Sequence, residues 1–304
     1  MTNSTDRARS SRTARLISVT AVLAVVVAVA AWLVLRPAGN DSLGSNAAEP
    51  GVSHVHGLGI DPTDGALYVA THNGMFRIPE GGTAKRVGGS YQDTMGFTVK
   101  GPGNFLGSGH PDMAGIRAGQ PRRLGLIESS DGAHSWASLS LAGEVDFHSL
   151  AYAHDRVYGW DATSGRFMVS VDRQTWDTRS TLQMHTFAVD PTNADHLIAA
   201  TAAGLRTSFD GGRTWATAST PGLVVLAWAP SGVLWGAESS GGISRSDDRG
   251  LSWQTSGQLP GQPQALSATT DTLWAAAGNQ DSRTGIYRST DSGSTWTLRY
   301  RDPS

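Results

Sequence analysis

Nine histidines stand in a chain that has no cysteine, and six of them fall at corresponding places in a repeating pattern. His56, His148 and His185 each come just before a short apolar run: Gly57-Leu-Gly-Ile60, Ser149-Leu-Ala-Tyr152 and Thr186-Phe-Ala-Val189. Met95 holds the same place before Gly96-Phe-Thr-Val99, and Val224 and Gln264 hold it before two further runs. His54 lies two residues ahead of His56, so in an extended strand it points to the same side. His72 and His110 sit where second apolar runs end. Neutral imidazole suits copper and zinc, and a thioether biases a site toward copper, above all Cu(I). His56, His148, His185 and Met95, with His54, His72 and His110 nearby, are therefore expected to hold a transition metal. Copper is favoured and zinc comes second, because a tetrahedral zinc would ordinarily take Cys or carboxylate as its fourth ligand.

Carboxylates offer a second chemistry. Asp93, Glu144, Asp146, Asp161 and Glu238 map to the same side of the pattern as these histidines. Glycoside hydrolysis needs two carboxyl groups about 5–10 Å apart across a sugar. Asp112, Asp161 and Glu238 are the candidates for such a pair, and Trp160 could stack on a sugar ring. The 14-residue insertion His110–Arg123 projects from this side, and a loop of that length is more often functional than idle. His134, His154 and His196 map to the opposite side and read as ordinary surface residues.

The elements that position these groups are announced by a repeated phrase. It reads Ser208-Phe-Asp210-Gly-Gly212-Arg-Thr214-Trp215, Ser246-Asp-Asp248-Arg-Gly250-Leu-Ser252-Trp253 and Ser289-Thr-Asp291-Ser-Gly293-Ser-Thr295-Trp296. Looser copies surround Asp131 and Asp172. Asp accepts backbone N–H bonds that close a turn, Gly supplies a positive φ, and Trp packs between sheets. Asp131, Asp172, Asp210, Asp248 and Asp291 are thus structural rather than catalytic. Their tryptophans, Trp136, Trp176, Trp215, Trp253 and Trp296, are spaced 40, 39, 38 and 43 residues apart. A period near 40 with four strand signals per unit predicts an all-β, six-bladed propeller over residues 52–304. Its first unit lacks the phrase, as terminal repeats often do.

The phrase resembles the Asp box, or BNR repeat, of sialidases, sortilin-type receptors and photosystem-assembly propellers. Together with Ser53-His-Val-His-Gly-Leu-Gly59 and Gly107-Ser-Gly-His-Pro-Asp-Met113, it resembles bacterial secreted propellers catalogued as glycosyl hydrolase-like or exo-sialidase-like. That resemblance implies a β-propeller with its boxes on the face away from the binding site. It also implies glycan or protein partners. A sialidase site is not expected. Phe76-Arg77-Ile78-Pro79 matches a sialidase motif, but it falls on a third strand, and no inner strand carries the arginines that clasp a carboxylate.

Ahead of the repeats lies a different kind of sequence. Residues 1–15 are a basic segment with Arg7, Arg9, Arg12 and Arg15, and residues 16–35 are almost wholly apolar. A helix of that length spans about 30 Å, the thickness of a bilayer core. The basic flank predicts a cytoplasmic N-terminus and a propeller outside, with secretion as the outcome if the anchor is cleaved. Residues 36–51 read as a flexible linker. The net charge is −2, only Lys85 and Lys100 are lysines, and no basic stripe invites nucleic acid. The expected protein is a membrane-anchored extracytoplasmic propeller that binds a metal. A glycoside hydrolase or a protein-docking scaffold is the alternative.

Overall fold

The computed structural model describes residues 51–218, 221–278 and 283–301. The basic segment, the apolar span and all but the last residue of the linker lie outside the described residues. Among the described residues no helix is long and apolar enough to cross a membrane.

Six antiparallel four-stranded sheets follow one another along the chain. The first blade is β1 (Val55–Ile60), β2 (Leu67–Thr71), β3 (Gly74–Ile78) and β4 (Lys85–Arg86). The second is β5 (Asp93–Gly101), β6 (Asn104–His110), β7 (Leu126–Ser129) and β8 (Ala137–Ser140), with a short helix α1 (Met113–Arg117) between β6 and β7. Blade three is β9 (Phe147–Ala153), β10 (Arg156–Asp161), β11 (Arg166–Ser170) and β12 (Asp177–Thr181). Blade four is β13 (Thr186–Val189), β14 (Leu197–Thr201), β15 (Gly204–Ser208) and β16 (Ala216–Thr217). Blade five is β17 (Leu223–Trp228), β18 (Leu234–Glu238), β19 (Gly242–Ser246) and β20 (Gln254–Gln258). Blade six is β21 (Gln262–Ala268), β22 (Leu273–Gly278), β23 (Thr284–Ser289) and β24 (Thr297–Arg301). The six-bladed ring and its unit boundaries agree with the spacing of the tryptophans.

Each repeated turn is closed by its own side chains. In the fourth blade Ser208 Oγ accepts from the Gly212 N–H at 2.8 Å, and Asp210 accepts from the Thr214 N–H at 2.9 Å and the Thr214 hydroxyl at 2.6 Å. Hydrogen bonds from the following Ser or Thr, first its hydroxyl and then its amide, hold the Asp131, Asp248 and Asp291 carboxyls at about 2. Such aspartates are permanently ionised acceptors with nothing to give to acid–base chemistry.

The tryptophan after each turn fills the seam with the blade before it. Trp215 packs against a core shared by Phe167 of blade three and Phe187 of blade four, and its Nε1–H donates to Ser180 Oγ at 3.0 Å. Blade one has no such tryptophan, so the closing seam is filled otherwise. Val55, Leu58, Val69 and Phe76 of blade one meet Trp274, Ala276 and Ile286 of blade six. The Val55 N–H crosses this seam to Gln264 Oε1 at 2.9 Å. Every blade is made from one continuous stretch, so closure rests on this packing and hydrogen bonding and no strand is exchanged.

One irregularity recurs at the start of the inner strands. The pairing of β1, β5, β9, β17 and β21 with its neighbour skips a residue at His56, Met95, His148, Val224 and Gln264 respectively. In blade four the His185 N–H donates to the Ala200 carbonyl just ahead of the paired stretch. Five of the six positions aligned by sequence are β-bulges, which re-aim a side chain out of strict alternation.

Candidate metal centre

These bulged residues border the central channel, a space of about 1060 Å³ lined by His56, Met95, His148, His185, Val224 and Gln264 among others. They do not act as one ring of ligands. Gln264 spends its carbonyl on Val55 N–H and the Thr284 hydroxyl. Met95 and His185 line the channel and form no hydrogen bond or ion pair with the other histidines among the described residues. The remaining imidazoles gather around two aspartates.

The first group lies between blades one and two. His72, just past the end of β2, directs Nδ1 to Asp93 Oδ1 at 2.8 Å. His56, on the bulge of β1, brings Nε2 to 3.3 Å from His72 Nδ1 and 3.6 Å from Asp93 Oδ1. Ligand atoms on a tetrahedral ion with bonds of about 2.0–2.1 Å stand about 3.3 Å apart. The triangle therefore already has the dimensions of one face of a coordination shell. His54 stands behind it, its ring 5.2 Å from that of His72. Its φ of 47° shows that the chain turns there, rather than continuing the extended strand that alternation assumed.

Burial first, and then the neighbouring His72, hold the His56 imidazole down to about 4, against the opposite pull of Asp93. His56 is thus neutral near pH 7, with a lone pair free to bind a cation. His72 is the open member, with 42% of its side chain exposed against 18% for His56. An ion could enter from that side.

The second group lies between blades two and three. His110 at the end of β6 and His148 on the bulge of β9 bring their Nε2 atoms to 3.3 and 3.0 Å from one oxygen, Asp146 Oδ2. In the sequence Asp93 and Asp146 stand out only as carboxylates on the same side of the pattern as the histidines. The signal that could have promoted them is spacing: each stands two residues ahead of a bulge position, as His54 does.

The candidate hydrolytic carboxylates have other work. Asp112 caps α1, accepting from the N–H groups of Gly115 and Tyr91 at 2.8 and 2.9 Å, and these bonds lower its pKa. Asp161 is 1% exposed, and although burial pushes its carboxyl up, bonds from Ser164, Asp146 N–H, Thr163 and Arg166 bring it below the ordinary value. Glu238, at the end of β18, accepts from Ser240 at 3.3 Å. Trp160 is 7% exposed and donates to the Leu182 carbonyl, so its face is not free for a sugar. Arg77 sits on β3, paired with Asp64, and no arginine lines the channel among the described residues. On the opposite face, His196 departs from the expectation of a surface residue. It is 2% exposed, bonded to Asp190 at 3.0 Å and stacked on Phe209 at 4.5 Å.

Fold and rim together define a β-propeller with a cluster of imidazoles and carboxylates on one face. No family model matches the chain, and no curated protein matches it. Among solved structures it is similar to the GH74 xyloglucanase from Xanthomonas campestris, with 17% identity and a TM-score of 0.54 over 83% of this chain and 46% of that one. This chain thus spans less than half the length of that enzyme. It is also similar to YCF48 bound to D1 peptide, with 15% identity and a TM-score of 0.51 over 82% and 83% of the two chains. A gluconolactonase from Xanthomonas campestris is similar at 14% identity and a TM-score of 0.57, over 74% and 83%. At such identities the likeness is one of fold, shared by hydrolases and by a propeller that binds a peptide.

Proposed function

We propose that this protein is a membrane-tethered, extracytoplasmic propeller of the Asp-box kind that binds a divalent transition metal on the rim between its first two blades. His56, His72 and Asp93 are the ligands. The observation that carries this is the compactness of their donor atoms, all within 4.8 Å of one another. Two imidazoles and a carboxylate suit zinc, nickel or copper(II), so the donor set moves the preference away from Cu(I). Met95 and His185 are left to border the channel beside the ion. A glycan hydrolase is less favoured, because Asp112 and Asp161 are committed to holding turns. A docking role is the second reading, favoured by Met113 and Ile116, which are 62% and 50% exposed on α1.

The test is Zn²⁺ affinity of the purified full-length chain, stripped with a chelator and titrated against a competing indicator. Asp93→Asn and His72→Gln should each weaken binding by at least about tenfold, the loss that even an outer-sphere partner produces. Unchanged affinity in both variants would remove the site.

A further inference from the structure

The chain enters the propeller at one corner of the rim, and that corner carries apolar surface that the fold leaves unused. Asn73, in the turn between β2 and β3, donates to the Gly51 carbonyl at 3.2 Å and to Ser53 Oγ at 2.9 Å. Arg86 donates to the Asn73 carbonyl and lays its guanidinium over the ring of Tyr91, 3.8 Å from the ring centre. The Tyr91 N–H in turn donates to Asp112, the cap of α1, at 2.9 Å. A short run of contacts thus joins the entry point to α1. That helix buries none of its residues. Met113 and Ile116, three apart and so on one helical face, are exposed together with the adjoining Tyr91. Val171, Phe209 and Leu251 are exposed too, but each stands alone on the repeated turn of a different blade, on the opposite face. Arg117 on α1 and Arg122 just beyond it are exposed, and among the described residues no carboxylate pairs with either.

We propose that this corner rests on the surface of the membrane that anchors the chain. Met113 and Ile116 enter the boundary between headgroups and acyl chains, Tyr91 lies at headgroup level, and Arg117 and Arg122 meet the phosphates of anionic lipid. The contact presupposes the membrane-tethered reading of residues 16–35 and is independent of the metal. An apolar pair flanked by arginines and a tyrosine has the composition of an interfacial contact. Such a small contact holds a membrane only weakly by itself, because stable attachment takes a second signal. The apolar run 16–35 is that signal. The linker 36–51, as a flexible chain, spans about 20–24 Å from end to end. It therefore presents the entry corner to the bilayer at high effective concentration. A linker joined to the opposite face would have to pass the full height of the blades before α1 could reach lipid. A partner protein would find the same side chains, but their place beside the entry point would then have no reason.

The chain has no cysteine, so a single introduced one can be labelled. Full-length Ala114→Cys, an exposed position on α1 that keeps Met113 and Ile116, carries an environment-sensitive fluorophore. It is reconstituted into vesicles of phosphatidylcholine with phosphatidylglycerol, and Leu251→Cys on the opposite face serves as reference. The expected result is that emission at position 114 shifts to the blue, is quenched by nitroxide lipids and is shielded from iodide. The label at position 251 should show none of these changes. Met113→Ser with Ile116→Ser should abolish the shift. Arg117→Gln with Arg122→Gln should reduce it in the mixed vesicles and leave it unchanged in phosphatidylcholine alone. Flotation with the vesicles after a carbonate wash reads the tether separately. A chain that floats while position 114 stays open to iodide would overturn the contact and keep the anchor, leaving α1 to a protein partner. Lipid quenching that survives the loss of Met113 and Ile116 would also overturn it. A chain that does not float would overturn the anchor and the contact together.

Discussion

Six residues occupy equivalent places, five of them on bulges, yet what each does depends on the side chains that reach it from its own and the neighbouring blades. His56 meets His72 and Asp93, His148 meets Asp146 and His110, and Gln264 is consumed by the closing seam. The histidines were legible in the sequence because their register repeats. Their partners were not, because His72 and Asp93 become neighbours only when two blades pack. Titration offers a test at this scale. His56 has a folded value near 4 against 6.5 for the free side chain, so protons prefer the unfolded chain. Its contribution to stability is full above pH 6.5 and is lost as pH falls from 6.5 toward 4. The aspartates of the turns, depressed from 3.8 to about 2, lose theirs only below that window. Urea midpoints measured against pH should therefore fall in two stages. His56→Gln is expected to flatten the upper stage and leave the lower one in place.

At the scale of single elements, the repeated turn and its tryptophan form one device. The turn fixes where the returning strand begins, and that strand delivers an indole to the seam behind it. Trp215 lies edge-on to Phe167 at 5.6 Å, and Gly212 comes so close to the same ring that an added Cβ would stand 2.3 Å from it. Trp215→Ala should cost about 3 kcal/mol, as large-to-small changes in a packed seam do. Equilibrium denaturation provides the measurement, and a loss below about 1 kcal/mol would show that the seam refills by collapse. This device was legible in the sequence, since all its residues lie within one turn. The bulges were not, because a bulge is a mismatch between two strands and one strand's sequence does not reveal it. That is why His54 was expected to point with His56, and turns aside instead.

The whole molecule depends on a closing seam unlike the other five. No repeated tryptophan reaches it from blade one, and Trp274 of blade six and Phe76 of blade one fill it instead. The Gln264 carbonyl is the acceptor that ties the buried Val55 N–H across the gap. Removing it with Gln264→Ala should cost about 1–3 kcal/mol, the penalty of an unsatisfied buried donor. Hydrogen exchange should report the loss first at Val55 and its neighbours on β1. Equal protection at all six seams in the variant would show that this bond does not govern closure.

The sequence alone determined the number of blades, the strand order and the aligned positions at the channel mouth. Those features are local: a turn, a period and a run of apolar residues are written in contiguous stretches. Only the tertiary structure decided which imidazoles share a carboxylate, and that Met95 and His185 stand outside both groups. The blades are brought together by apolar seams that carry no information about the polar atoms at their rim. Residues as distant in the chain as Asp93 and His56 therefore meet only once the ring has formed.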